Sequence, residues 1–223
     1  MHCAALLRGV IKTYRVESVE VHALRGVELE IPGQRFTAIA GPSGSGKTTL
    51  LNLIGCIDRP DSGELIVEGT PVGRLSDDAL SDFRARHLGF VFQNFNLLPV
   101  LTAYENVEYP LRLTNKPAAQ RRERVRAVLD AVGLGSHARH RPGQLSGGQQ
   151  QRVAIARALA AEPRMILADE PTANLDSNTG ASIIELLRQL QREHAVSIVI
   201  CSHDPKVIAA ADNTIYIRDG HVQ

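Results

Sequence analysis

The run Gly41-Pro42-Ser43-Gly44-Ser45-Gly46-Lys47-Thr48 constrains this chain more than any other feature. It fits GxxxxGK[ST] and stands between a nearly continuous apolar stretch, Phe36 to Ala40, and a helical run from Thr49 to Ile57. A buried strand, a glycine loop and a helix in that order make a phosphate cradle. Glycines let successive N–H groups curl toward an anion, and the helix N-terminus adds its dipole. Lys47 is expected to neutralise β/γ-phosphate charge, with Thr48 Oγ ligating Mg²⁺ and Thr49 beside it.

A second apolar strand, Ile166-Leu167-Ala168, delivers the consecutive carboxylates Asp169 and Glu170 at its C-terminal end, where parallel α/β sheets place their ligands. Strand alternation sends the two side chains to different sides. Asp169 is thereby suited to the Mg²⁺ shell through water, and Glu170 to orienting and deprotonating an attacking water.

Leu145-Ser146-Gly147-Gly148-Gln149 opens the helical run Gln150 to Ala161, and Ser146 with Gln149 has the spacing of a capping box. Two glycines at a helix start cost stability unless something must approach the backbone closely. A phosphate is the expected visitor. Because the chain carries one phosphate loop, this second cradle is read as completing the nucleotide site of another copy.

The order of phosphate loop, Gln93, Leu145 to Gln149, Asp169-Glu170, Asp176 and His203 resembles the ATP-binding-cassette ATPases across essentially the whole chain. The resemblance implies a P-loop NTPase core of α/β class with a mostly parallel sheet, an N-terminal antiparallel β subdomain and an α-helical subdomain. Residues 1–223 are then one nucleotide-binding domain, with its core at 1–100 and 162–223 and a helical lobe at about 101–161. It further implies a homodimer sandwiching two ATP between the loop of one copy and Ser146, Gly147, Gly148 and Gln149 of the other. By the same resemblance Tyr14 stacks on adenine, Gln93 touches Mg²⁺, Asp176 communicates across the dimer and His203 contacts the γ-phosphate. Catalysis falls to Glu170, His203 and Lys47.

The stretches Val21 to Val27, Phe90 to Pro99 and His140-Arg141-Pro142 look like the lipoprotein-release and macrolide-export group, whose ATPases clamp on permease subunits. Ala173 stands where that group usually has Gly, which stiffens the turn toward Asp176. Thr48-Thr49 departs from the commoner pattern and keeps the needed hydroxyl. Around Gln93, the residues Phe92, Phe95, Leu97 and Leu98 are expected to form a socket for the permease.

Composition narrows the partners. Lys plus Arg number 25 against 24 Asp plus Glu, so the molecule lacks the positive field of a general nucleic-acid binder. No stretch reaches the roughly 20 apolar residues of a membrane span, and residues 1–10 lack a signal peptide. A cytoplasmic protein, peripheral on the inner (plasma) membrane, is expected. Cys3, Cys56 and Cys201 have no ligand spacing and read as reduced, buried thiols. The chain's end after Asp219-Gly220 is read as leaving no room for a fused membrane or regulatory domain. Arg121, Arg122, Arg124 and Arg126 read as a solvated helix face, and His22, His87, His137, His140 and His194 as structural. The rival reading is a soluble cassette acting on nucleic acid or ribosomes.

Overall fold

Five short segments, four of them apolar, define the central sheet. They are β3 (Phe36–Ala40), β6 (Leu88–Val91), β7 (Met165–Asp169), β8 (Ser197–Cys201) and β9 (Asn213–Arg218), with the two-residue β10 (His221–Val222) at one edge. The computed structural model describes residues 2–17, 19–114 and 116–223. In it these strands run in the order β10-β9-β3-β8-β7-β6, parallel throughout except for the β10-β9 pair. β3, β6, β7 and β8 read as apolar runs because both faces are covered, whereas β9 is largely exposed. Phe36 and Ala38 of β3, Ile166 and Ala168 of β7, and Ile198 and Ile200 of β8 enter one hydrophobic core. Their neighbours Ile39, Leu167 and Val199 enter the other.

A second, antiparallel sheet has the order β2-β1-β4-β5, formed by β1 (Cys3–Val16), β2 (Val19–Pro32), β4 (Ser62–Val67) and β5 (Thr70–Pro71). The expected strand Val27 to Ile31 is the end of the much longer β2, and it lies at the sheet edge as its alternation suggests. The whole of β1 escapes sequence reading for a physical reason. Its pairing with β2 slips between Leu7 and Val10, between Val10 and Ile11, and between Lys12 and Thr13, so the period-2 pattern is broken repeatedly.

The helices are α1 (Lys47–Ile54), α2 (Asp77–His87), α3 (Ala103–Arg112), α4 (Ala118–Ala131), α5 (Gly147–Ala160), α6 (Ser177–His194) and α7 (Pro205–Ala210). α1 starts two residues earlier than expected and stops before Gly55. α2 carries only two buried residues, Leu80 and Phe83, too few for a visible stripe. Between β6 and β7 the chain forms α3, α4 and α5 with two short 3₁₀ turns, Gly135–His137 and Pro142–Gln144. Thr102 and Glu105 form the expected capping box of α3.

The arginine face of α4 needs correcting. Arg122 and Arg126 are exposed, but Arg121 reaches Glu108 at 3.4 Å. Arg124 donates to the carbonyls of Leu159 and Ala160 at 2.8 and 3.1 Å, closing the C-terminal end of α5. The cysteine reading also divides, since Cys56 and Cys201 are buried whereas Cys3 is only partly so.

Candidate functional site

Parallel strands end on one side of their sheet, and here that side gathers the chemistry. The phosphate loop follows β3, Gln93 follows β6, Asp169 and Glu170 stand at the end of β7, and His203 follows β8. These segments line a cleft of about 680 Å³ that also takes in Tyr14, Val21, His22, Ala23 and Ala173.

Local backbone geometry shapes the cradle. Gly46, the N-cap of α1, has φ 108°, and a Cβ there would stand 2.6 Å from the Ala23 carbonyl oxygen. Gly41 has φ 157°, and its Cβ would meet the Ile217 carbonyl oxygen at 2.1 Å. Neither position admits a side chain without moving backbone. No side chain caps α1 and its first turn holds no acidic residue, so its N–H groups stay open to an anion. Ser45 Oγ is buried without a partner among the described residues, the kind of orphan that an incoming phosphate oxygen would satisfy. Lys47 is buried, and its ammonium donates to the loop's own carbonyls, Gly41 and Pro42, each at 2.8 Å. Pro42, Ser43, Gly44, Thr48 and Thr49 complete the loop's contribution to the cleft wall.

The two carboxylates part company as strand geometry requires, with a twist. Asp169 accepts from Thr48 Oγ1 at 3.1 Å on the loop side. Burial, then the neighbouring Glu170, push its carboxyl above the ordinary value, outweighing the Thr48 bond and the Lys47 charge. Glu170 has already left the strand, at φ 44°, a strained backbone for a non-glycine residue. Its Oε1 lies 2.7 Å from His203 Nδ1, and its Oε2 accepts from Ser202 Oγ at 3.3 Å. Since a carboxylate can only accept, that His203 nitrogen carries the proton.

Tyr14 reaches the cleft from β1. Its hydroxyl donates to Asp58 at 2.8 Å, and Lys12 Nζ bonds the same carboxylate at 2.8 Å while lying 5.2 Å from the tyrosine ring centre. Burial, then the Asp58 bond, raise the Tyr14 hydroxyl above its usual value. The Tyr14 ring is thus held at its tip by Asp58 and has the Lys12 ammonium over it. No local pattern singles out Asp58, which stands in the turn-forming run Asp58-Arg59-Pro60-Asp61-Ser62-Gly63. His22, read as structural, instead lines this cleft beside Thr13, 3.0 Å from its hydroxyl. The signal that finds it is the β1-β2 register, which sets Tyr14 opposite Val21 and Thr13 opposite His22.

Gln93 is exposed in the cleft wall, and its loop is tied from two directions. Asn174 Nδ2 donates to the Gln93 carbonyl and to Asn94 Oδ1, both at 3.0 Å. The partly buried Arg157 guanidinium on α5 donates to the carbonyls of Phe95 and Asn96, two consecutive residues with positive φ. The apolar socket is only partly as expected. A groove of about 460 Å³ includes Phe90, Phe92, Tyr109, Leu113 and Arg157 in its walls. Phe92 belongs to it, but Leu97 packs on the core and the Phe95 ring points toward Gly147.

The remaining candidates lie elsewhere. Ser146, Gly147, Gly148, Gln149 and Asp176 do not line the cleft that holds their own phosphate loop. Ser146 and Gln149 form a complete capping box on α5, and Asp176 caps α6 by accepting from the amides of Asn178 and Thr179. Close approach accounts for one signature glycine without any ligand, since a Cβ on Gly148 would lie 2.5 Å from Thr179 Cγ2. Gly147 has no such neighbour, its nearest contact being 3.4 Å.

Comparison with known proteins agrees with this layout. The "ABC transporter" family description matches residues 24–173. An uncharacterized ABC transporter ATP-binding protein of Thermotoga maritima is 50% identical over 217 residues, covering 97% of this chain and 92% of that protein. A macrolide export ATP-binding/permease protein, MacB, of Syntrophobacter fumaroxidans is 47% identical over 97% of this chain, which spans 31% of MacB. Among solved structures, a dimeric post-hydrolysis state of the ATP-binding cassette MJ0796 with ADP and Pi superposes with TM-score 0.90 at 46% identity, covering 98% of this chain and 96% of that one. With the phosphate loop, the paired carboxylates and the fold all in agreement, the chain belongs to the ABC transporter family and is one of its ATP-binding cassettes, an ATPase.

Proposed function

We propose that two copies of this chain close around two ATP molecules and that hydrolysis reopens them, driving an integral membrane permease of the macrolide-export or lipoprotein-release type. One observation carries the reading. The chain has a complete phosphate cradle with its carboxylates in one cleft, while its second glycine-rich helix start lies outside the lining of that cleft. Only another copy can bring the two together.

Within the cleft, ATP phosphates take the open amides of α1, and Lys47 exchanges its loop carbonyls for phosphate oxygens. Tyr14 supports the adenine. Glu170 accepts the proton of the attacking water, and His203, whose Nδ1–H is given to Glu170 at 2.7 Å, donates to the γ-phosphate through its other ring nitrogen when the ring is in the imidazolium form. The residues present fit a magnesium ion. Thr48, Asp169 and Gln93 offer only oxygen donors of the hard type that it prefers, and Thr48 already meets Asp169 at 3.1 Å. When bound, it would neutralise charge on the phosphates. Ser146, Gly147 and Gly148 of the second copy complete the site, and Asp176 reports across the interface.

The permease is assigned to the groove beside Phe92, Tyr109 and Leu113, directly connected through Arg157 to the Gln93 loop. No helix among the described residues is long and apolar enough to cross a membrane, which suits a peripheral position on the cytoplasmic face. The nucleic-acid or ribosome reading is set aside, because the relatives are named as transporter and export proteins and the net charge is only +1. Glu170→Gln tests the reading. ATP binding should persist, turnover should fall at least about 100-fold, and an ATP-dependent dimer should accumulate on gel filtration. Hydrolysis at the normal rate would remove Glu170 from its role.

A further inference from the structure

The segment that begins α5 has a side chain behind it that the catalytic scheme does not use. Ser146 N–H donates to Gln149 Oε1 at 2.9 Å, and Gln149 N–H donates to Ser146 Oγ at 3.3 Å. The first of these bonds fixes which way the Gln149 amide points, because only its oxygen can accept. Its nitrogen must then face the other way, and there it lies 3.2 Å from His137 Nε2. An amide nitrogen only donates, so His137 Nε2 must offer a lone pair. The proton sits on Nδ1, which lies 3.1 Å from Ser136 Oγ as acceptor.

His137 is itself on a firm platform. It ends the 3₁₀ turn Gly135–His137, with its N–H bonded to the Leu134 carbonyl at 2.9 Å. The following residues are pinned to the start of α3, where Ala103 N–H donates to the His140 carbonyl at 2.8 Å and Tyr104 N–H to the Ala138 carbonyl at 2.9 Å. The ring of His140 tilts against it at 5.1 Å. The chain Ser136, His137, Gln149, Ser146 thus runs from a fixed turn to the exposed serine of the helix start.

We propose that His137 is a positioning residue for the nucleotide held by the partner copy. By accepting from Gln149 it locks the amide in the orientation that caps Ser146, and so holds the Ser146 hydroxyl and the Gly147 amide ready for a phosphate. This rests on the dimer reading above and adds to it the residue that fixes the second cradle. His137 does not line the cleft of its own chain, so its effect falls on closure and not on the first binding of ATP.

The test uses the full chain carrying Glu170→Gln, with His137→Phe or His137→Gln added. Glutamine places an acceptor oxygen near the Nε2 position, whereas phenylalanine fills the space without one. ATP affinity below the dimerising concentration is measured by calorimetry, and the ATP concentration for half-maximal dimer by light scattering. With His137→Phe, the affinity should be unchanged while the half-maximal concentration rises about five-fold, the worth of one lost hydrogen bond. His137→Gln should restore it. Equal dimerisation by His137→Phe and its parent overturns the proposal, as does failure of His137→Gln to rescue a folded chain. If the Glu170→Gln parent itself binds ATP without dimerising, the dimer reading falls first and the proposal with it. Should His137→Phe not fold, His137→Ala with the same glutamine comparison gives the same decision.

Discussion

Two glycine-rich helix starts in this chain look alike in sequence and differ in physics. At α1, the cap is a left-handed glycine, no side chain satisfies the first amides, and Ser45 Oγ is buried without a partner among the described residues. At α5, Ser146 and Gln149 satisfy each other's backbone in a finished capping box. The first is an incomplete structure that an anion completes. The second is complete on its own, so any anion it meets comes to a surface that is already formed. Glycine is required at Gly41 and Gly46 by backbone geometry, at Gly148 by the methyl group of Thr179, and at Gly147 by nothing among the described residues. The last case is the informative one, because a residue without an internal reason points to an external one.

Substitutions can break that comparison. The largest effect is expected at Gly46→Ala, where a Cβ would press on the Ala23 carbonyl and the positive φ disfavours any side chain. ATP affinity measured by calorimetry should fall at least about 100-fold, equivalent to roughly 3 kcal/mol. Retained affinity would mean that the loop has an alternative path. Gly147→Ala should do the opposite to stability. Removing a glycine from the first turn of α5 should raise the melting temperature by about 2–4 °C for a gain near 1 kcal/mol. ATP affinity of the single copy should stay as it was, and ATP-driven dimerisation should weaken. A variant that is more stable and dimerises normally would show that no phosphate approaches there.

The smallest effect concerns pH. The folded Asp169 carboxyl titrates above the ordinary 3.8, chiefly through burial and then through Glu170. Between those values the folded chain holds a proton that the unfolded chain has released. Stability is therefore lost as pH rises through that window, and the deficit persists above it. Asp169→Asn should melt slightly higher than the parent at neutral pH without nucleotide, with the gap closing below pH 3.8. A gap that does not depend on pH would assign the effect to packing.

How much could be read beforehand follows from where periodicity survives. The strands β3, β7 and β8 are legible because both faces are buried, and α6 because its apolar stripe of Ile183, Leu186, Leu187 and Leu190 is intact. β1 is lost to its register slips and α2 to its lack of a stripe. The same distinction holds in the cleft. Lys47, Thr48, Asp169, Glu170 and His203 stand at strand ends within compact local patterns and converge as expected. Asp58, His22 and Asn174 act through contacts between segments far apart in sequence, which no local pattern encodes. Arg121 and Arg124 mislead for a related reason, since their inward carbonyl and carboxylate partners belong to other helices.

The central claim is that the phosphate loop of one copy meets the α5 start of another across ATP. Ser43 and Ser146 are both exposed, so cysteines at these two positions in a Glu170→Gln chain, probed with a short bismaleimide, test it most directly. A covalent dimer is expected with ATP and little with ADP. Absence of that crosslink in a chain that binds ATP, or equal crosslinking without nucleotide, would contradict it.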